Sequence, residues 1–318
     1  MPEPRKHEKY DALIAACSAL APVRTAVAHP CDETSLRGAV EAAEAKIIIP
    51  LLVGPQARIR ALATSFGLDI ASLRLVDTPH SHASAAKAVE IVRNGEADAL
   101  MKGSLHTDEL MAEVVHKDTG IRTARRISHV FIMDVPTYPK PLFITDAAVN
   151  IFPTLEDKVD IVQNAIELAQ ALGVARPKVA ILSAVETITS KIPSTIDAAA
   201  LCKMADRGQI TGALLDGPLA FDNAVDRQAA SIKHIASPVA GDADILLVPD
   251  LEAGNMLAKE LTFLAKADAA GIVLGARVPI ILTSRADNVR ARMASCAVAA
   301  LYAHARRVAA AEAGKLAG

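Results

Sequence analysis

"ADALMKGSLHTDELMAEVV", Ala97–Val115, reads as a buried strand, a short polar exit and a helix, and that order decides the fold. The strand is apolar up to Met101 except for Asp98, and it ends at Lys102–Gly103–Ser104. A helix starts near Thr107, with Asp108 and Glu109 in a first turn where negative charge suits the helix dipole. The same step recurs on both sides of this stretch. "RTAVAHP" (24–30), "KIIIPLLVGP" (46–55) and "LRLVDTP" (73–79) precede it, and "KVAILSAV" (178–185), "TGALLDGPL" (211–219), "ADILLVPDL" (243–251), "GIVLGA" (271–276) and "VPIILTS" (278–284) follow. Helical patterns such as "TSLRGAVEAAEAK" (34–46) lie between them. Near-continuous apolar strands separated by helices are parallel strands buried on both faces. The chain is therefore a doubly wound α/β protein.

The middle breaks this rhythm. "SHVFIMDVPTYPKPLFITDAAVN" (128–150) holds two β-rich stretches joined by a Pro-containing link too short for a helix, which predicts an antiparallel hairpin and the start of a second domain. The expected division is residues 1–128 with 277–318 as a first, discontinuous α/β domain and 129–276 as the second. Near the N-terminus, Tyr10, Leu13, Ile14 and Cys17 fall on one helical face, so this stretch reads as a packed first helix rather than a secretion signal.

Composition narrows the function. The chain has 318 residues, a formal net charge of −2 and 3% aromatics with no Trp, which argues against a nucleic-acid platform. Cys17, Cys31, Cys202 and Cys296 are widely spaced and form no CxxC pair; a reducing, cytoplasmic setting is expected. No apolar run is long enough to span a bilayer. GxGxxG, GxxxxGK[ST] and GxSxG are all absent.

The candidate site residues stand at strand exits, where open α/β sheets bind ligands. Lys102 and Ser104 can contact an anion, with Gly103 allowing close approach. His106 has no second histidine at ligand spacing, so no metal site is expected. Arg125 and Arg126 precede the hairpin, Asp146 and Asn150 follow it, and Thr154 with Asp157 predicts a helix cap. Asp216, Asp222, Asn223, Asp250 and Asn255 mark two more exits, with Gly217 and Gly254 expected to leave room for a ligand. Ser284 and Arg285 leave "VPIILTS" just before a helix, and the guanidinium is a planar fork suited to phosphate or carboxylate. Together these exits describe a two-domain α/β enzyme with a cleft for an anionic, phosphorylated substrate.

The stretches "MKGSLHT", "RRISHVFIMDVP", "ITDAAVNIFPTLEDK", "LDGPLAFDNAV", "VPDLEAGNMLAKEL" and "PIILTSRAD" occur in an order that resembles the phosphate acetyltransferase and phosphate butyryltransferase family, and "HPCDETSLRGAVEAAEAKIIIPLLVGP" resembles its N-terminal part. The resemblance implies two α/β domains with an interdomain cleft, an isocitrate/isopropylmalate dehydrogenase-like architecture and a homodimer. It implies transfer of a short acyl group between coenzyme A and inorganic phosphate, with acyl-CoA, phosphate and acyl phosphate as small-molecule substrates and neither metal nor cofactor. Ser284 and Arg285 match the family's phosphate site. An aspartate proposed as the base in phosphate acetyltransferases follows that serine by seven positions; here the position is Ala291, and the nearest carboxylate is Asp287. Asp287 thus joins Ser284 and Arg285 as the catalytic set, with Lys102, Ser104, Arg125, Arg126, Asp146, Asn150, Asp250 and Asn255 as substrate-binding residues. Acetyl transfer is the first expectation. The alternatives are butyryl transfer by the same chemistry, or a non-catalytic CoA-binding regulator if Ala291 marks a lost base.

Overall fold

The computed structural model describes residues 7–282 and 289–316. The chain divides into two compact units, one made of Tyr10–Arg125 with Ala270–Gly318 and the other of Met1–Lys9 with Arg126–Ala269. From the N-terminus run α1 (Glu8–Cys17), β1 (Val23–Ala28), α2 (Glu33–Glu44), β2 (Ile48–Gly54), α3 (Gln56–Phe66), β3 (Arg74–Asp77), α4 (Ser81–Arg93), β4 (Ala99–Lys102) and α5 (Thr107–Val115). The second unit holds β5 (Ser128–Asp134), β6 (Leu142–Thr145), α6 (Leu155–Ala171), β7 (Lys178–Leu182), α7 (Pro193–Asp206), β8 (Leu214–Leu219), α8 (Phe221–Val225), α9 (Arg227–Ile232), β9 (Ile245–Leu247) and α10 (Leu251–Phe263). The chain then forms β10 (Asp268–Leu274), β11 (Ile280–Ile281) and α11 (Val289–Leu316).

In the first unit β1 pairs in parallel with β2 on one side and β4 on the other, and β2 pairs in parallel with β3. β11 lies parallel to β4, with Ile281 opposite Met101, and β10 closes the row antiparallel to β11. Every residue of β1 is buried except Arg24, whose guanidinium meets Asp98 at 2.9 Å. This two-sided burial is why the strands read as continuous apolar runs rather than alternating ones. The chain winds outward from β1 through β2 to β3, then returns to lay β4 against the free side of β1. Right-handed crossovers therefore put α2 and α3 on one face and α4 on the other. The crevice beyond the carboxyl ends of β1 and β4 is the topological switch point of this unit. Tyr10, Leu13 and Cys17 of α1 are buried, as their helical spacing predicts.

In the second unit β5 and β6 form the antiparallel hairpin, with Phe131 opposite Ile144. β6, β9, β7 and β8 then continue in parallel. Met133, Ile144, Ala180, Leu246 and Val248 belong to its core. Thr154 caps α6 in a full capping box with Asp157. Gly217 and Gly254 leave no room for a ligand: a Cβ at Gly217 would strike Ile181, and one at Gly254 would press on Val248, Ala147 and the Asp146 carbonyl. Close backbone packing explains both. Asp216 sits inside β8 rather than at its exit.

Candidate active site

At the switch point of the first unit the backbones leaving β1 and β4 are stitched together. Gly103 donates its N–H to the Ala28 carbonyl at 2.8 Å, and Ser104 donates its N–H and its hydroxyl to the His29 carbonyl, both at 2.9 Å. The Ser104 hydroxyl accepts the Cys31 N–H at 3.2 Å. A side chain at Gly103 would collide with the Ala28 and His29 carbonyl oxygens, so glycine is required by the approach of two strands.

The stitching shapes a cavity of about 430 Å³, near the lower end of ligand-site sizes. Its wall is polar. His29, Cys31 and Asp32 come from the exit of β1, Ser104, His106 and Glu109 from the exit of β4, and Arg58 and Ser81 from α3 and α4. Asp32 caps α2, accepting the Ser35 N–H at 2.8 Å. Arg58 donates to the Cys31 carbonyl at 3.0 Å. A hydrogen bond from Ser81 holds the Glu109 carboxyl below its usual range, yet its Oε2 is buried without a hydrogen-bond partner.

His29 has φ +56°, a left-handed conformation that histidine adopts more readily than most residues. Its Nδ1 lies 3.0 Å from the Ser84 hydroxyl. That hydroxyl donates to the His80 carbonyl at 2.9 Å and lies 2.8 Å from the Thr78 hydroxyl. Burial, followed by the charge of Arg58, pushes the His29 pKa down, so the ring is neutral near pH 7. Burial also pushes the Cys31 thiol up to about 11, with Cys17 at about 11 and Cys202 and Cys296 at about 12. None of the four offers a thiolate at neutral pH.

Among the sequence candidates, Ser104 lines this cavity. Lys102 is buried beside it, its Nζ reaching the carbonyls of Gly103 at 3.3 Å and Leu105 at 3.2 Å. Arg125 is half-buried, and its backbone N–H donates to the Thr123 hydroxyl at 3.1 Å. Ser284, Arg285 and Asp287 lie outside the described residues, which run to Leu282, one position beyond the pairing of Ile281 with Met101, and resume at Val289. Ala291 is buried on α11.

The remaining candidates form a separate cluster in the second unit. Asp146 is buried and accepts the N–H groups of Ala148, Val149 and Asn150 at 2.9–3.1 Å. It also accepts the Asn150 side-chain amide at 2.5 Å. Asn150 donates to the Ile127 carbonyl and accepts from Arg126 Nε at 2.7 Å. Asp250 caps α10, and Asn255 donates to the Ala147 carbonyl at 3.1 Å. These groups hold the 146–151 loop and tie it to α10.

Sequence reasoning missed His29, Arg58 and the inward turn of Glu109. The strand-exit argument that selected Lys102 applies equally to "RTAVAHPCD", where His29 stands one residue past β1. A larger cavity of about 770 Å³ lies in the second unit, at the ends of β7 and β9 beside α10. Its lining is mostly apolar, from Leu182, Phe221, Val248, Leu257, Leu261 and Leu264.

The family model described as phosphate acetyl/butaryl transferase matches residues 78–300. A phosphate acetyltransferase of Rhizobium meliloti is 69% identical over 96% of this chain and 97% of its own length. A crystal structure of a branched-chain phosphotransacylase from Enterococcus faecalis V583 is similar with a TM-score of 0.76 and 30% identity, covering 89% of this chain and 99% of that one. At the level of fold alone, the chain is also similar to a 4-hydroxythreonine-4-phosphate dehydrogenase from Klebsiella pneumoniae, with a TM-score of 0.54 and 12% identity over 89% of this chain and 99% of that one.

Proposed function

The chain belongs to the phosphate acetyl/butaryl transferase family, and on that premise we propose that it moves an acetyl group between coenzyme A and inorganic phosphate. The observation that carries acetyl rather than butyryl transfer is the 69% identity to a phosphate acetyltransferase over nearly the whole chain. Comparing acetyl-CoA with butyryl-CoA at equal concentration tests the choice; a butyryl preference assigns the alternative chemistry.

The reaction in this reading is direct transfer. A protonated Cys31 is a poor nucleophile, so the coenzyme A sulfur attacks the acyl carbonyl itself. Ser284 and Arg285 are assigned to the phosphate, with Asp287 kept as the catalytic carboxylate of the same "SRAD" stretch. Lys102 and Ser104 frame the exit of β4, and Arg125 is assigned to an anionic part of the substrate. Arg126, Asp146, Asn150, Asp250 and Asn255 contribute by holding the 146–151 loop and α10 in place. No cofactor or metal enters this scheme. Arg285→Ala is expected to lower acyl transfer by 10²–10³-fold, the scale for losing one oxyanion donor. Wild-type turnover and phosphate affinity in that variant would remove Arg285 from the site.

The reading includes a homodimer in the cytoplasm. Met256, Phe263 and Leu264 of the α10 region are each more than 60% exposed, next to the apolar cavity. Such patches are often covered by a partner. Light scattering in dilute solution tests the dimer, and a monomer at all concentrations contradicts it. Free cysteines suit a reducing compartment.

A further inference from the structure

We propose that the polar cavity at the ends of β1 and β4 receives the thiol end of coenzyme A and that His29 Nε2 takes the thiol proton. This rests on the acyl-transfer reading and adds a catalytic residue to it.

Hydrogen-bond arithmetic fixes the tautomer. The Ser84 hydroxyl has one hydrogen and two lone pairs. A carbonyl can only accept, so the hydrogen goes to His80 O. Thr78 and His29 Nδ1 must then both donate to the Ser84 oxygen for all three contacts to be hydrogen bonds. The His29 proton is therefore on Nδ1, and Nε2 carries the lone pair. His29 belongs to the cavity wall.

The cavity chemistry suits an uncharged, hydrogen-bonding end of a ligand. Among its described lining residues the one guanidinium, Arg58, is outnumbered by the carboxylates of Asp32 and Glu109, so the lining carries no net positive charge for a phosphate. A thiol with a neutral amide-bearing arm fits this balance.

The step balances within the known substrates. A free thiol with pKa of about 8.5 is only a few per cent ionised at pH 7. His29 Nε2 removes the S–H proton as the sulfur lone pair forms a bond to the acyl carbon. The carbon–oxygen bond to phosphate breaks, phosphate leaves with that electron pair, and the imidazolium proton passes to it. The groups facing His29 are Ser84 and His80 of the α4 start, Arg58 of α3, Asp32 at the α2 start, and Glu109 and His106 at the α5 start. Asp32 and Glu109 favour the imidazolium, whereas Arg58 and His80 oppose it.

The test uses His29→Asn. Asparagine tolerates a left-handed backbone, and its amide can still reach Ser84, but it lacks Nε2. At pH 7 thioester formation from coenzyme A and acetyl phosphate should fall 10²–10⁴-fold, the range for general-base catalysis, with an unchanged melting curve. The deficit should shrink at least tenfold by pH 9, where the thiol ionises unaided. A near-normal rate at pH 7, or a deficit of the same size at every pH, overturns the role of His29 while leaving acyl transfer standing. A wild-type protein that forms no thioester overturns the acyl-transfer reading itself. Nitrogen-15 spectra of the wild-type imidazole give a readout independent of any variant. A proton on Nδ1 at pH 7 and a change at Nε2 on adding coenzyme A are expected; a proton on Nε2 overturns the assignment.

Discussion

His29 and His129 are both buried neutral imidazoles, yet their surroundings give them opposite uses. His29 is 8% exposed, bonded through Nδ1 to a serine hydroxyl, and belongs to the wall of a polar cavity. His129 is 2% exposed within β5, packs edge-on to Phe131 with ring centroids 4.3 Å apart, and has a buried, unpartnered Nδ1. Burial lowers the pKa of both rings, to about 4 for His129. A perturbed pKa therefore does not by itself identify a site. What separates the two rings is access for a ligand and a hydrogen-bond partner that fixes where the proton sits.

The largest effect that can break this contrast is on rate. His129→Phe keeps an aromatic ring against Phe131 and should leave turnover within about threefold, against the 10²–10⁴-fold loss at His29. Comparable losses at both positions in well-folded variants would erase the distinction. A smaller effect belongs to Ser84, which positions His29 without touching substrate. Ser84→Ala should lower turnover roughly tenfold, within the range for disturbing an orienting partner, with the loss in kcat and little change in KM for coenzyme A. An unaltered kcat with a weakened KM would assign Ser84 to binding instead.

Stability sharpens the other half of the comparison. The folded His129 takes up its proton at about 4, below the ordinary 6.5 of the unfolded chain. Between these pH values the unfolded chain binds more protons, so stability is fully present above pH 6.5 and falls as pH drops toward 4. Melting temperatures from pH 7 to 4 should show this slope in the wild type and a flatter one in His129→Phe. Equal slopes would mean that the ring is not the titrating group. The smallest expected effect is at Cys31: Cys31→Ala should retain activity within a few-fold, because its thiol is protonated and no acyl-cysteine forms. Loss of all transfer in a folded Cys31→Ala would place the acyl group on the enzyme.

The parallel strands were legible because strands buried on both faces leave continuous apolar runs, as in "KIIIPLLVGP" and β1. The hairpin was legible because the short link between β5 and β6, residues 135–141, carries Pro136, Pro139 and Pro141, which leave no room for a crossover helix. The Thr154 cap was legible because capping is local. The polar cavity was not, because it depends on strand order: the return of β4 to the far side of β1 brings Ser104 and Glu109 to His29 and Arg58. Asp146 and Asn150 were visible as unusual residues, but their sequence does not reveal that both side chains turn inward and satisfy each other. Gly217 and Gly254 likewise suggested ligand space, whereas their constraint is packing.

The central claim, acyl transfer from acetyl phosphate to coenzyme A without an acyl-enzyme, is tested most directly by mixing the purified protein with both substrates after chelation. Thioester absorbance and released phosphate are followed together, and the protein mass is read during turnover. The account predicts thioester and phosphate in equal amounts, an unmodified protein mass and no response to added divalent ions. No thioester, a protein carrying the acyl group, or activity that returns only with a metal ion would contradict it.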